Sequence, residues 1–79
     1  MKRRRMMYRA TLHEDEMGEI VTILKDEGAT FHSSSVGYEW RIGPYRVAAA
    51  AVRERFDLGR SQWDRFIMFL LREDIQWPD

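Results

Sequence analysis

Two apolar patterns are superimposed in the stretch Gln62–Ile75. Trp63, Phe66, Ile67 and Leu70 fall on one face of a helix, at the spacing of a side that packs into a core. Met68, Leu71 and Ile75 form a second apolar stripe, with Phe69 between the two. Phe66 to Leu71 is an unbroken run of six apolar residues. A surface helix needs only one apolar face. The surplus therefore predicts burial against another layer of the chain or against a partner, and Met68, Phe69, Leu71 and Ile75 are the expected self-association residues.

Elsewhere the periodicity switches between two and 3.6. Met6, Tyr8, Ala10 and Leu12 alternate with Met7, Arg9, Thr11 and His13, which predicts a strand over about residues 4–12. Glu14–Glu27 reads as a helix with Met17, Ile20, Val21 and Leu24 as its buried stripe. Three acids open that helix, where the helix dipole favours negative charge, and Gly28 is placed to end it in a left-handed cap. Ala29–Ser34 and Gly37–Ile42 read as two strands joined by a turn at Ser35, Val36 and Gly37. Gly43-Pro44 starts a helix expected over Tyr45–Phe56, thin on account of Ala48–Ala51. Asp57–Arg60 is a short connection. Ser61 is the expected cap of the last helix, with Asp64 in a capping-box position.

The expected order is β-α-β-β-α-α, an α+β fold with a three-stranded sheet packed by helices. Two sheet orders are open. In one, the third strand lies between the first two and the sheet is antiparallel, a truncated ferredoxin-like layout. In the other, the first two strands are parallel neighbours with a right-handed crossover. The antiparallel order is the favoured one. Residues 1–79 read as one domain, with a basic arm at 1–5 and a short tail at 76–79.

Composition narrows the class. Hydrophobic content of 44% and aromatic content of 13% in 79 residues describe a folded domain near the lower size limit for a self-sufficient core. Without cysteine there is no disulfide framework and no thiolate metal site, which fits a reducing cytoplasm. No apolar stretch reaches the roughly 20 residues that span a bilayer, so a cytoplasmic protein away from membranes is expected.

Charge is balanced in sum and uneven in place. Thirteen basic and thirteen acidic residues give a formal net charge of zero. Lys2, Arg3, Arg4, Arg5 and Arg9 form a basic arm without an acid. Asp15, Glu19 and Asp26 share one outward face of the first helix with Thr22. Arg46 and Arg53 lie seven residues apart on the second helix, and Arg65 and Arg72 repeat that spacing on the third. Arginine favours forked contacts with carboxylates, phosphates and aromatic faces. The acidic face suits docking against a basic surface, and the arginines suit a partner's carboxylates or a nucleic acid.

Candidate chemistry is sparse. His13 precedes Glu14, Asp15 and Glu16, yet residues adjacent in sequence do not converge on one ion, and no paired-histidine spacing exists. His32 beside Ser33, Ser34 and Ser35 lacks a signalled orienting group and oxyanion hole. No glycine-rich phosphate loop is present. Neither a catalytic residue nor a cofactor or metal is expected.

In size, lack of cysteine, mixed charge and absence of a catalytic signature, the whole chain resembles the small phage-encoded inhibitors of host machinery, anti-CRISPR proteins among them. The resemblance rests on no motif. It implies blocking a nucleic-acid-handling complex by occupying a surface. Two functions are therefore expected in competition. One is a non-enzymatic interaction protein, with a homodimer among its open states, that inhibits or regulates a protein or protein–nucleic acid partner. The other is a small nucleic-acid-binding regulator. It would use the basic arm, an aromatic platform of Tyr38 and Trp40, and a helix–turn–helix from Val47 to Arg72.

Overall fold

A computed structural model describes residues 12–78 of the chain. The first element is α1, Glu14–Asp26, which buries Met17, Ile20, Val21 and Leu24. It opens with the His13 N–H donating to Glu16 Oε1 at 2.9 Å, so the third helical residue satisfies a backbone donor ahead of the helix. It closes at Gly28, whose φ of +82° is the left-handed conformation that costs glycine nothing. The strand expected at 4–12 lies outside the described residues apart from Leu12. Leu12 is fully buried, in irregular backbone.

Three antiparallel strands follow as a meander: β1, Ala29–Ser34; β2, Gly37–Ile42; and β3, Tyr45–Val47. Ser35 and Val36 form the first turn. There the Ser34 hydroxyl accepts from the Val36 N–H at 3.2 Å and donates to the Gly37 carbonyl at 3.3 Å. Gly43-Pro44 forms the second turn, with Gly43 at φ +59°. This second turn revises the sequence reading. Tyr45–Val47 was expected as the first turn of a helix, but it doubles back and pairs Tyr45 with Ile42 and Val47 with Trp40. The sheet face gained by Tyr45 and Val47 outweighs the helical preference of the alanines that follow. Ala48 is still extended, and α2 begins only at Ala49, running to Arg55. The edge of β2 along Trp40–Ile42, which the favoured sheet order left to the strand at 4–12, is thus occupied by β3.

The last element is α3, Arg60–Arg72. Its cap is Gly59 rather than Ser61. Gln62 Oε1 accepts from the Gly59 N–H at 2.8 Å, the reach-back role expected of Asp64. Gln62 is buried, because a long amide can satisfy that backbone donor from inside the protein.

Pairing fixes which side chains share a sheet face, because alternate residues point to opposite sides. Ala29, Phe31, Tyr38, Trp40, Ile42, Tyr45 and Val47 point one way; Thr30, His32, Glu39, Arg41 and Arg46 point the other. α1 and α3 cover the first side, so the fold is two layers, α+β, and among the described residues no element covers the polar sheet face. The core is aromatic at its centre. Phe66 of α3 stacks parallel to Trp40 at 6.4 Å, and Phe31 tilts against the same indole at 4.7 Å. The expected tail is not free: Trp77 meets Trp40 edge-on at 5.7 Å and Phe31 at 6.4 Å, with Lys25 Nζ 5.9 Å over its ring.

Candidate interaction surfaces

The acidic residues Asp15, Glu19 and Asp26 are exposed on α1, as expected, together with Thr22. Thr22 turns its hydroxyl back onto the Gly18 carbonyl at 3.1 Å, so it offers a partner little. The basic arm, Lys2, Arg3, Arg4, Arg5 and Arg9, lies outside the described residues.

The other four candidate arginines do not form two matching clamps. Arg53 Nε donates to the Leu58 carbonyl at 3.1 Å and ties down the loop between α2 and α3. Arg65 Nε donates to the Leu12 carbonyl at 2.8 Å, fixing the approach to α1. Arg72 bridges Glu14 at 2.6 Å and Glu73 at 3.0 Å while its guanidinium sits 5.8 Å over the Phe69 ring. The hydrogen bonds to Glu73 and Glu14 hold the Arg72 pKa above its ordinary value. These three arginines fasten the seams of the fold, a role the guanidinium serves through fixed donors. Arg46 is different. It is the most exposed partner in the ion pairs described and shares Glu39 with Arg41, at 3.1 and 2.6 Å. The hydrogen bond from Arg41 is the main reason the Glu39 carboxyl titrates below its ordinary value. A further forked pair, Arg55 with Glu27, joins α2 to the end of α1 and lowers Glu27 in the same way.

The second apolar stripe of α3 divides. Met68 is 63% exposed and Leu71 is also open to solvent. Phe69 is only 8% exposed and belongs to the core, and Ile75 packs partly against it. Phe69 is therefore corrected from a self-association residue to a structural one. The reason is that α1 and the Arg72 side chain close over a third side of α3, which periodicity alone does not reveal. The aromatic platform is corrected too: Trp40 is 3% exposed and lies inside the core, leaving Tyr38 alone at the surface.

Among the described residues there is a second open apolar surface, which sequence reasoning missed. Val36 is 95% exposed, Tyr45 73% and Tyr38 56%, all on the two hairpin turns and strand ends. Tyr38, Ile42 and Tyr45 point to the core side of the sheet but lie beyond the cover of α1 and α3. Beside Tyr38 a groove of about 430 Å³ runs between β2 and the start of α2, with Val36, Trp40, Val47, Ala48 and Ala49 in its walls. The signal was present as the alternation of Trp-Arg-Ile and Tyr-Arg-Val across Gly43-Pro44, a hairpin pattern overshadowed by the alanine run.

Among the described residues, no three His, Cys, Asp or Glu side chains are grouped to hold a metal ion, and no helix is long and apolar enough to cross a membrane. Among the described residues the buried Trp40 indole N–H meets no acceptor. Comparison with protein families, with curated proteins and with solved structures finds no match to this chain.

Proposed function

We propose that the protein is a small non-enzymatic interaction protein that binds a macromolecular partner in the cytoplasm and inhibits or regulates it by occupying a surface. The partner class taken over from the resemblance to phage-encoded inhibitors is a nucleic-acid-handling complex. The observation that carries the reading is the uncovered hairpin. Val36, Tyr38, Ile42 and Tyr45 are large apolar side chains gathered on one short meander and left open. Fully burying one such side chain is worth about 1.5–3 kcal/mol, so a partner that covers several of them has a substantial driving force. Exposed Tyr45 beside exposed Arg46 on β3 is also the kind of residue pair enriched at protein interfaces. The second expected function, direct nucleic-acid reading, is weakened by the arginines. Arg53, Arg65 and Arg72 are committed to contacts within the chain.

The test is affinity capture from the native host followed by reconstitution with purified components. The expected result is a complex of fixed stoichiometry that survives salt high enough to screen surface charge. In parallel, DNA and RNA binding is titrated with salt. Tight binding that falls steeply with salt, with no protein complex captured, would replace this reading with the regulator.

A further inference from the structure

Resting on the interaction reading, we propose that the unfinished edge of β2 at Tyr38 is a docking site for an extended strand of a partner protein, one that alternates apolar and acidic residues.

The backbone register defines the site. Antiparallel residues alternate between bonding the strand on one side and the strand on the other. The Gly43 N–H donates to the Gly28 carbonyl at 3.4 Å, just past the end of the β1–β2 ladder. Odd-numbered positions of β2 therefore bond β1, and Tyr38, Trp40 and Ile42 direct their peptide groups toward β3. β3 answers Ile42 with Tyr45 and Trp40 with Val47. Continuing that register, the partner of Tyr38 would be residue 49. Ala49 is instead the first residue of α2, so the chain leaves the sheet one step before Tyr38 is reached. The Tyr38 N–H and C=O thus face the groove, and no described strand pairs with them.

The groove walls match an incoming main chain. Ala48 and Ala49 on the α2 side are small enough for a backbone to approach closely, and Val36 and Tyr38 on the other side supply apolar cover. Side chains of an added strand would alternate across the sheet, as in strand-addition recognition generally. Those pointing to the core side meet Tyr38, Val47 and Ala49. Those pointing to the outer side meet Arg46 and Glu39 in the groove wall, and Arg41 holds the same Glu39 carboxylate from outside the groove, two cations on one acid. That surplus of positive charge selects acidic residues at the outward positions. A paired amide donor and carbonyl acceptor at strand spacing favours a polypeptide over a nucleic acid, because a phosphate would meet the carbonyl as well as the N–H.

The experiment pans a displayed library of random ten-residue peptides against the full chain. Enriched peptides are synthesised and followed by amide NMR and titration. The expected outcome is enrichment of alternating apolar and acidic sequences, with the largest shifts at Tyr38 and Val47 and slowed exchange of the Tyr38 amide. Ala49→Glu changes an open position in the first turn of α2, where a carboxylate suits the helix. It should weaken binding at least tenfold while leaving the rest of the spectrum in place. Arg46→Glu should turn the preference from acidic to basic peptides. The proposal is overturned by a panning that enriches nothing, by peptides that shift Met68 and Leu71 instead, by equal binding to Ala49→Glu, or by a dimer that seals the Tyr38 edge with a second copy. If Ala49→Glu still captures the host partner, the docking site is wrong and the interaction reading stands. If the wild type captures none, the interaction reading itself fails.

Discussion

Phe69 and Met68 are neighbours on α3 with opposite expected responses, and replacing each with alanine tests where the core of this protein ends. Phe69 is 8% exposed, with the Arg72 guanidinium over its ring at 5.8 Å from the ring centre. A buried Phe→Ala replacement costs about 3–5 kcal/mol, and a ring with one edge near the surface belongs at the lower end, about 3 kcal/mol. Met68 is 63% exposed, and substitutions at such positions stay within about 0.5 kcal/mol. Typical stabilities of 0.05–0.15 kcal/mol per residue give a chain of 79 residues about 4–12 kcal/mol in all. Phe69→Ala therefore removes between a quarter and three quarters of the total. In urea, with a slope of about 1–3 kcal/mol per molar, the midpoint followed by circular dichroism should fall by about 1 M or more for Phe69→Ala. For Met68→Ala it should move by about 0.5 M or less. Both midpoints are measured at two protein concentrations, because a dimer sealed by Met68 would melt later at the higher one. If Phe69→Ala behaves like the wild type, or if Met68→Ala carries the larger loss in a concentration-dependent way, the placement of Phe69 inside one chain is refuted.

Two further outcomes follow from the contacts described. Trp77→Ala removes the rings' contacts with Trp40 and Phe31 and the seat of Lys25. For a half-buried tryptophan about 2 kcal/mol is expected, read as a Tm lower by about 8–16 °C; an unchanged Tm would show that residues 76–78 are a free tail after all. The carboxyls of Glu39 and Glu27 are held below their ordinary values chiefly by hydrogen bonds from Arg41 and Arg55. Their folded pKa values are depressed, so the stabilisation they give is complete above the unfolded value of about 4.3 and is lost as the pH falls through the folded value. Glu39→Gln should therefore lose less stability than the wild type between neutral pH and acid, measured as the urea midpoint; parallel curves would sink that assignment.

The helices were legible where cap and stripe agree. Glu14 to Gly28 carries acids at its start, glycine at its end and four apolar residues between at helical spacing, and the helix forms as that pattern implies. Phe66, Ile67 and Leu70 were likewise readable as the buried face of α3. The hairpin of β1 and β2 was legible from alternation on either side of its turn. β3 was hidden because three residues are too few to show a period and the alanines behind them favour a helix. Phe69 was misread because periodicity gives direction around a helix but not how many neighbours crowd it. The arginines were least legible of all. The carbonyl that Arg65 holds belongs to Leu12, 53 residues earlier, and no local spacing announces such a bond. The Tyr38 edge was invisible for a related reason, since it exists only because β3 stops one step short.

The lid over Trp40 comes from chain made long after the hairpin that carries it. Phe66 and Trp77 close on that indole, and Trp77 lies 37 positions downstream. At synthesis rates of about 5–20 residues per second, the newborn hairpin waits about 2–7 seconds before that partner exists. During that interval Phe31 and Trp40 have each other, Tyr38 and the already made α1 but lack the cover of Trp77, and a small sheet without its full cover is marginally stable in water. Birth on the ribosome is thus the moment when this chain is most exposed to capture by chaperones or by its own siblings, and slowing translation between Val47 and Arg72 would lengthen that exposure.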